Sequence, residues 1–141
     1  MKVLQCHSEG DKRFSALCAK VNVFGKTDTI ENHYQLSKRI GDIVPTNWRD
    51  IKGKTPTHIV INNKEYPARF LSSWYRLLWI LYLDSNPELV EYAKQFSGFE
   101  DKFKGKSTNC QADIVRLYVT FGRDHILNQC EELLSLLILN N

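Results

Sequence analysis

The chain has 141 residues, 43% of them hydrophobic and 25% charged, which suits a single domain with one core and excludes wholesale disorder. The 19 basic and 16 acidic residues leave a net charge of +3, which is too small to indicate nucleic-acid binding by itself. The only dense basic run, Lys102–Lys106, is short, so it leaves open a contact with a phosphate-bearing small molecule or a polyanion.

The cysteines and histidines show no metal-binding pattern. Cys6, Cys18, Cys110 and Cys130 are scattered without a CxxC pair, and the four histidines are equally dispersed, so we expect no metal and no cofactor. The start MKVLQCHSEG lacks the apolar run of a signal peptide, and no stretch approaches the roughly 18–20 apolar residues of a membrane span. We therefore expect a cytoplasmic protein with no membrane partner, whose reduced cysteines serve as small core residues.

The first half of the chain alternates short apolar segments with turn signals. Asn62-Asn63 is the strongest hairpin signal, because asparagine tolerates positive φ. Gly41 is where a helix is expected to stop, and Pro45 prevents its continuation. The predicted elements are strands over Phe14–Leu17 and Val21–Phe24, a turn at Gly25–Lys26, a helix over about 29–40, a helical turn over Asn47–Lys54, and paired strands over Thr57–Ile61 and Lys64–Tyr66.

The second half is predominantly helical by its apolar spacing. Arg69–Leu83 is predicted to be the central core helix, with an inward stripe of Phe70, Trp74, Leu77, Leu78 and Leu81. The further predicted elements are a helix over Pro87–Phe96, a loop over Gly98–Thr108, a helix over Gln111–Thr120 broken by Gly122, and a last helix from Arg123 or Asp124 to about Leu139. We therefore predict one α+β domain over residues 1–141, mostly helical, with a small antiparallel sheet or hairpin.

The densest group of reactive side chains is the segment TDTIENHYQLSKR, Thr27–Arg39. Asp28, followed three residues later by Glu31, resembles a capping box and predicts that a helix begins there. Along that helix Glu31, Gln35 and Lys38 fall on one face, where a carboxylate, an amide and an amine could form a polar site. Amphipathic helices commonly carry such a stripe on their solvated surface, so spacing alone leaves both interpretations open.

Three further polar segments are candidates for binding or catalysis. Asn47–Arg49 places a cation beside Trp48, and the carboxylates Glu100–Asp101 lie between two phenylalanines. Apolar rings can raise the pKa of a carboxyl group, which is what a general acid needs at neutral pH. Gly105–Asn109 leads into a helix start, where backbone N–H groups and lysines could bind an anion. A plain surface role is the alternative for each segment.

These segments resemble, in the same order, the motifs of the NADAR (YbiA-like) family. Thr29, Glu31, Gln35 and Lys38 match the family pattern Thr/Ser-Val-Glu-His-x-x-Gln-x-x-Lys, with Asn32 where the family commonly has His. The other similar segments are Phe14–Ala16, Asn47–Lys52, Asn86–Leu89, Asp101 and Gly105–Asn109. The run Cys110–Val115 also resembles the Cys-His-x-Asp-x-Leu helix of another small bacterial and phage domain family of unknown function.

The resemblance implies a hydrolase that cleaves the N-glycosidic bond of an ADP-ribosyl or phosphoribosyl group on a nucleotide-like substrate, such as an ADP-ribosylated base. Glu31 and Asp101 would be the two catalytic carboxyls, without an assignment of which is the acid. Lys38 would be a cationic anchor or an amine that attacks the aldehyde of the opened sugar. The implied substrate-binding residues are Gln35, Trp48, Lys106 and Asn109.

Two alternatives to catalysis stay open at this point. The first is a phage or mobile-element protein that binds a nucleotide signal, a host protein or a nucleic acid without turnover. The second is a DNA- or RNA-associated protein that uses Lys102–Lys106 with Arg116 or Arg123, for which strongly salt-dependent binding is expected. The oligomeric state is not indicated by the sequence.

Overall fold

The structure is a computed structural model that describes residues 2–102 and 111–140. The described strands are β1 Val3–Gln5, β2 Lys20–Val23, β3 Lys26–Thr29, β4 Lys38–Arg39, β5 His58–Ile61, β6 Lys64–Pro67 and β7 Gly98–Glu100. The described helices are α1 Ile30–Leu36, α2 Leu71–Asp84, α3 Pro87–Ala93, α4 Gln111–Phe121, α5 Arg123–Gln129 and α6 Glu131–Asn140. The predicted α+β class, mostly helical with small sheets, is confirmed. Within these ranges no helix has the length and apolar character needed to cross a membrane.

The strands form small sheets at the periphery of the helices. Strands β2 and β3 make a hairpin that turns at Phe24 and Gly25, which have φ of 50° and 83°. Strands β5 and β6 turn at Asn62 and Asn63, with φ of 51° and 65°, so the asparagine-based hairpin prediction is confirmed. Strand β4 extends this hairpin into an antiparallel sheet of order β4-β5-β6, and β1 pairs in parallel with β7.

Helix α2 lies at the centre of the core, as its apolar spacing predicted. It contacts α1, α3, α4, α5 and β2, and its Leu78 and Trp79 side chains are fully buried. Burial of a large apolar side chain contributes about 1.5–3 kcal/mol relative to leaving it exposed. The predicted stripe is wrong at Leu81, which is 40% exposed because it lines an open cavity beside α5 and α6, while Ile80 and Leu83 are buried.

The helix predicted over 29–40 is wrong in its last part, because α1 ends at Leu36. The Ser37 hydroxyl donates to the carbonyl of Tyr34 at 2.7 Å, and the chain then becomes extended. Strand β4 pairs with β5, placing Lys38 opposite Ile59. The local helical preference therefore gives way to strand pairing with a segment twenty residues further along the chain.

Two more predictions fail in the segments that flank the core helices. The strand predicted over Phe14–Leu17 is absent, because Phe14 ends a 3-10 helix, Lys12–Phe14, capped by the side chain of Asp11. The loop predicted from Gly98 begins instead with strand β7, whose partner β1 lies far away in the sequence. The later part of that predicted loop, residues 103–108, lies outside the described residues.

The last helix prediction is also corrected. Gly122, with φ of 91°, separates α4 from α5 as expected. A second break at Cys130, with φ of −113° and ψ of 11°, divides the single predicted helix into α5 and α6. The break leaves Ile126, Cys130 and Leu133 buried together in the core.

The cysteine prediction is confirmed for two of the four residues. Cys6 and Cys130 are buried in the core, whereas Cys18 is exposed, contrary to expectation. Burial raises the pKa of the Cys130 thiol to about 11, which keeps it protonated and unreactive at neutral pH. Cys110 lies outside the described residues.

Candidate functional site

The start of α1 determines how the Glu31 carboxylate is used. Thr29 is the N-cap, since its hydroxyl accepts a hydrogen bond from the Asn32 backbone N–H at 3.0 Å. The Asp28 carboxylate accepts from the Asn32 side-chain amide at 2.8 Å. The capping box predicted between Asp28 and Glu31 is therefore wrong, and Glu31 instead accepts a hydrogen bond from Gln35, one turn further on, at 2.9 Å.

The Gln35 amide is held in one orientation by this bond. A carboxylate only accepts hydrogen bonds, so the Gln35 atom that faces Glu31 is the donor Nε2. The side chain is only 4% exposed, and its Oε1 atom has no hydrogen-bond partner among the residues that the structure describes. A buried acceptor without a partner costs about 1–3 kcal/mol, so this oxygen is a candidate contact for a bound ligand.

Lys38 joins this group from strand β4. It is only 5% exposed, and its ammonium lies 5.1 Å from the centre of the Tyr34 ring. Burial lowers the pKa of Lys38, the Glu31 carboxylate opposes that shift, and the Lys52 ammonium adds to it. The prediction that Lys38 shares a helix face with Glu31 and Gln35 is wrong, because Lys38 lies in strand β4. Its ammonium and the Glu31 carboxylate interact through their charges.

Two tyrosines in edge-to-face contact connect α1 to the core helix α2. The Tyr34 and Tyr75 rings meet edge to face, with centroids 4.9 Å apart. Burial raises the pKa of Tyr75, and the carboxylates of Glu31 and Asp101 raise it further. The Tyr75 hydroxyl is therefore protonated at neutral pH and lies within electrostatic reach of both carboxylates.

A chain of hydrogen bonds links Asp101 to the backbone at Glu31. The Gln111 amide donates to Asp101 at 3.4 Å, and its oxygen accepts from the Ala16 backbone N–H at 2.7 Å. The Ala16 carbonyl then accepts from the Glu31 backbone N–H at 2.9 Å. We name the five side chains that these hydrogen bonds and charge interactions link the Glu31 cluster: Glu31, Gln35, Lys38, Tyr75 and Asp101.

Trp48 belongs to a 3-10 helix, Trp48–Asp50, that packs against α1. The Asn47 side chain caps this turn by accepting from the Arg49 backbone N–H at 2.8 Å. The Arg49 guanidinium and the Lys52 ammonium lie 5.1 and 4.8 Å from the Trp48 ring centre. The charge of Lys52 also lowers the pKa of Lys38, so Trp48 lies at the Lys38 end of the cluster. A base that stacked on the Trp48 ring would compete with the two cations.

Two predicted site residues lie outside the described part of the chain, and two residues of the site gave no signal in the sequence. Lys106 and Asn109 lie outside the described residues. Tyr75 was missed because its spacing on α2 is that of an ordinary core position. Gln111 was predicted only as a helix start, and no sequence signal indicates that it joins Ala16 to Asp101.

His33 points away from the Glu31 cluster. Its Nε2 donates to the carbonyl of Val21 at 2.9 Å, so it connects α1 to β2. Among the described residues, no group of three or more His, Cys, Asp or Glu side chains is arranged to hold a metal ion. The cluster thus offers two carboxylates, an amine with a lowered pKa, a protonated phenol and an unpaired amide oxygen, which together allow acid–base and nucleophilic chemistry.

No protein-family model matches the chain, and no curated protein sequence is significantly similar to it.

Proposed function

We propose that the Glu31 cluster hydrolyses the N-glycosidic bond of an ADP-ribosyl or phosphoribosyl group on a nucleotide-like substrate in the cytoplasm. The observation that carries the proposal is the chain of hydrogen bonds through Gln111 and Ala16 that links Asp101 to Glu31 from distant parts of the sequence. Cleavage of a C1′–N bond passes through an oxocarbenium-like state, which a carboxylate stabilises while an acid protonates the departing base. Glycoside hydrolysis commonly divides these two tasks between two carboxyl groups.

Lys38 adds a second kind of group to this chemistry. Because its pKa is lowered, a larger fraction of its amine is neutral near pH 7 than for an exposed lysine. A neutral amine can attack the aldehyde carbon of an opened ribose, forming an imine and releasing water. The same side chain in its charged form would bind a phosphate or ribose oxygen, so the two roles make different predictions.

Substrate binding would use the polar atoms around the carboxylates. The unpaired Gln35 oxygen would accept a hydrogen bond from a ribose hydroxyl. Trp48 and Lys52, at the Lys38 end, would contact the base or a phosphate. Lys106 and Asn109 complete the proposed binding residues as phosphate or ribose ligands.

The first experiment tests turnover. The protein is incubated with ADP-ribosylated guanosine and with a panel of phosphoribosylated nucleotides, and mass spectrometry detects the released base. We expect Glu31→Gln to lower the rate about 10²- to 10⁴-fold, because it removes the charge but keeps the oxygen that accepts from Gln35. Glu65→Gln, a change of the same kind on exposed strand β6, is the control and should retain full activity.

The proposal fails if wild-type protein releases no base from any of these substrates, or if Glu31→Gln is as active as Glu65→Gln. Urea denaturation of both variants shows whether a loss of activity comes from unfolding.

The second experiment separates the two roles of Lys38. Borohydride added during turnover reduces an imine to a stable secondary amine, which peptide mapping detects as added mass on Lys38. If the Lys38 amine is the nucleophile, we expect this adduct. If Lys38 is a cationic anchor, we expect turnover without any adduct. Lys52→Met is the matched control, because Lys52 is a neighbouring exposed lysine. This substitution should not change the yield of the Lys38 adduct.

Binding without turnover is the second candidate function. Two contacts favour binding without turnover. The Trp48 ring is already in contact with the cations of Arg49 and Lys52, and the Glu31 carboxylate already accepts a hydrogen bond from Gln35. Calorimetric titration with the same nucleotides, combined with the absence of product, would support this function. Measured release of base would reject it.

A further inference from the structure

Two adjoining cavities lie on the side of α1 that faces away from the Glu31 cluster. The polar cavity has a volume of about 300 Å³ and is lined by Lys26, Asp28, Asn32, His33, Arg39 and Asn63, among others. The apolar cavity has a volume of about 550 Å³, and its lining includes Leu77, Ile80, Leu81, Leu127, Leu134 and Leu137. Val23, Phe24 and Trp74 line both cavities, so the two spaces meet at the tip of the β2–β3 hairpin.

The charges of the polar cavity favour an anion. Arg39 and Lys26 contribute two positive charges, and neither forms an ion pair with a carboxylate in the described part of the chain. The opposing carboxylate, Asp28, already accepts hydrogen bonds from the Thr29 backbone N–H and the Asn32 amide. The net charge of the lining is therefore +1 with His33 neutral, which matches a ligand with one negative charge.

Arg39 is positioned to bind such a group. One guanidinium nitrogen donates to the backbone carbonyls of Leu36 and Lys38, at 2.7 and 2.9 Å, which fixes the side chain. Partial burial of Arg39 lowers the pKa of its guanidinium group. A guanidinium held in this way presents its remaining N–H groups as a planar fork suited to a carboxylate.

The junction between the cavities contains a buried polar group without a partner among the described residues and an aromatic residue with a positive φ. The Trp74 side chain is 4% exposed, and its buried indole N–H has no hydrogen-bond acceptor among the described residues. Buried tryptophan N–H groups normally have one. Phe24, which lines both cavities with Trp74, adopts a φ of 50° and is 52% exposed as a residue, an unfavourable arrangement for a large aromatic residue.

We propose that the two cavities form one binding site for an amphipathic organic anion, namely an aliphatic carboxylate. Its carboxylate contacts Arg39, and its hydrocarbon chain passes Phe24 and Trp74 into the apolar cavity. Both volumes fall within the range of about 300–1,000 Å³ typical of small-molecule sites, which combine apolar walls with a few polar groups. This site is separate from the proposed glycosidase site.

The test measures calorimetric binding of three probes to the whole protein: decanoate below its micelle concentration, acetate as the head group alone, and decanol as the chain alone. We expect decanoate to bind at least about tenfold more tightly than either partial probe, because only decanoate uses both cavities. Failure of decanoate to bind at about 1 mM would overturn the proposal. So would equal binding of decanol and decanoate, since the positive cavity would then contribute nothing.

Three variants assign the contacts. Arg39→Gln should weaken decanoate binding about tenfold and leave decanol binding unchanged, because it removes only the charge. Trp74→Phe should weaken decanoate and decanol by similar factors, because a smaller ring at the junction loses packing contacts with the hydrocarbon chain of both probes. Leu81→Gln, on an exposed turn of α2, should weaken both decanoate and decanol.

The controls separate this site from the Glu31 cluster. Arg116→Gln, a matched arginine change on α4 outside both cavities, should bind decanoate like the wild type. Glu31→Gln should also bind decanoate normally, whatever its effect on base release. If Arg39→Gln and Leu81→Gln both keep wild-type decanoate affinity, the ligand binds elsewhere and the proposal is wrong.

Discussion

Among the described glycines, Gly10 is the one where an added Cβ would be most crowded, and replacing it by alanine tests how tightly its segment packs on strand β1. A Cβ atom at position 10 would lie 2.4 Å from the Gln5 Cβ and 2.6 Å from the Gln5 carbonyl oxygen. Both separations are about 1 Å shorter than an ordinary contact, and one of the atoms belongs to the backbone, which cannot rotate away. Relief requires β1 to move at Gln5, where it pairs with Glu100 of β7.

The cost of Gly10→Ala can be estimated from these contacts. Overpacking of this kind costs about 1–3 kcal/mol. Movement of Gln5 also weakens the bond from the Asp11 backbone N–H to the Gln5 carbonyl, now 2.8 Å long, which is worth about 1 kcal/mol. We therefore expect Gly10→Ala to lower the free energy of unfolding by about 2–4 kcal/mol.

Urea denaturation followed by tryptophan fluorescence measures this loss. The matched control is Gly98→Ala on the partner strand β7, whose added Cβ would lie 3.2 Å from a Val3 methyl group that can shift. We expect the control to cost less than about 1 kcal/mol. Equal stability of the two variants would refute the reasoning, because it would show that β1 can move at Gln5 without lowering the free energy of unfolding.

Three further predictions concern the site and its surroundings. Between the lowered pKa of folded Lys38 and its ordinary value of 10.5, the unfolded chain binds more protons than the folded chain, so folding becomes more favourable as the pH rises. In urea denaturation, the free energy of unfolding of the wild type relative to Lys38→Met should therefore rise as the pH approaches 10.5. A difference that does not change with pH would contradict this. Gln111→Leu leaves the Ala16 N–H without its acceptor and should lower the free energy of unfolding by about 1–3 kcal/mol, whereas a loss below about 0.5 kcal/mol would show that the bond is replaced. Iodoacetamide at pH 8, followed by peptide mapping, should label exposed Cys18 but not buried Cys130, and rapid labelling of Cys130 would show that α5 and α6 open.

Much of the secondary structure could be predicted because its causes are local. The apolar spacing of α2 and the tolerance of Asn62 and Asn63 for positive φ are properties of a few consecutive residues. The same holds for Gly122, which separates α4 from α5. The candidate site was predictable only to the extent that Glu31 and Gln35 share one helix face, one turn apart.

The failures of prediction come from partners that are distant in the sequence. Strand β7 exists because β1 pairs with it, and α1 ends early because β4 pairs with β5. Tyr75 has the spacing of any core residue of α2, and only the fold brings it within reach of the charges of Glu31 and Asp101. No periodicity in the sequence carries this information, because pairing and burial depend on segments that only the folded chain brings together.

The sequence alone therefore determined the α+β class, the central helix, the turns and the polar face of α1, because backbone preference and side-chain period act over a few residues. The tertiary structure decided what those groups can do. It buried Lys38 in a strand, which lowers its pKa, and it tied Asp101 to Ala16 through Gln111. It also joined a positive cavity to an apolar one at Trp74. Hydration and charge interaction depend on distance in space, and the fold sets that distance.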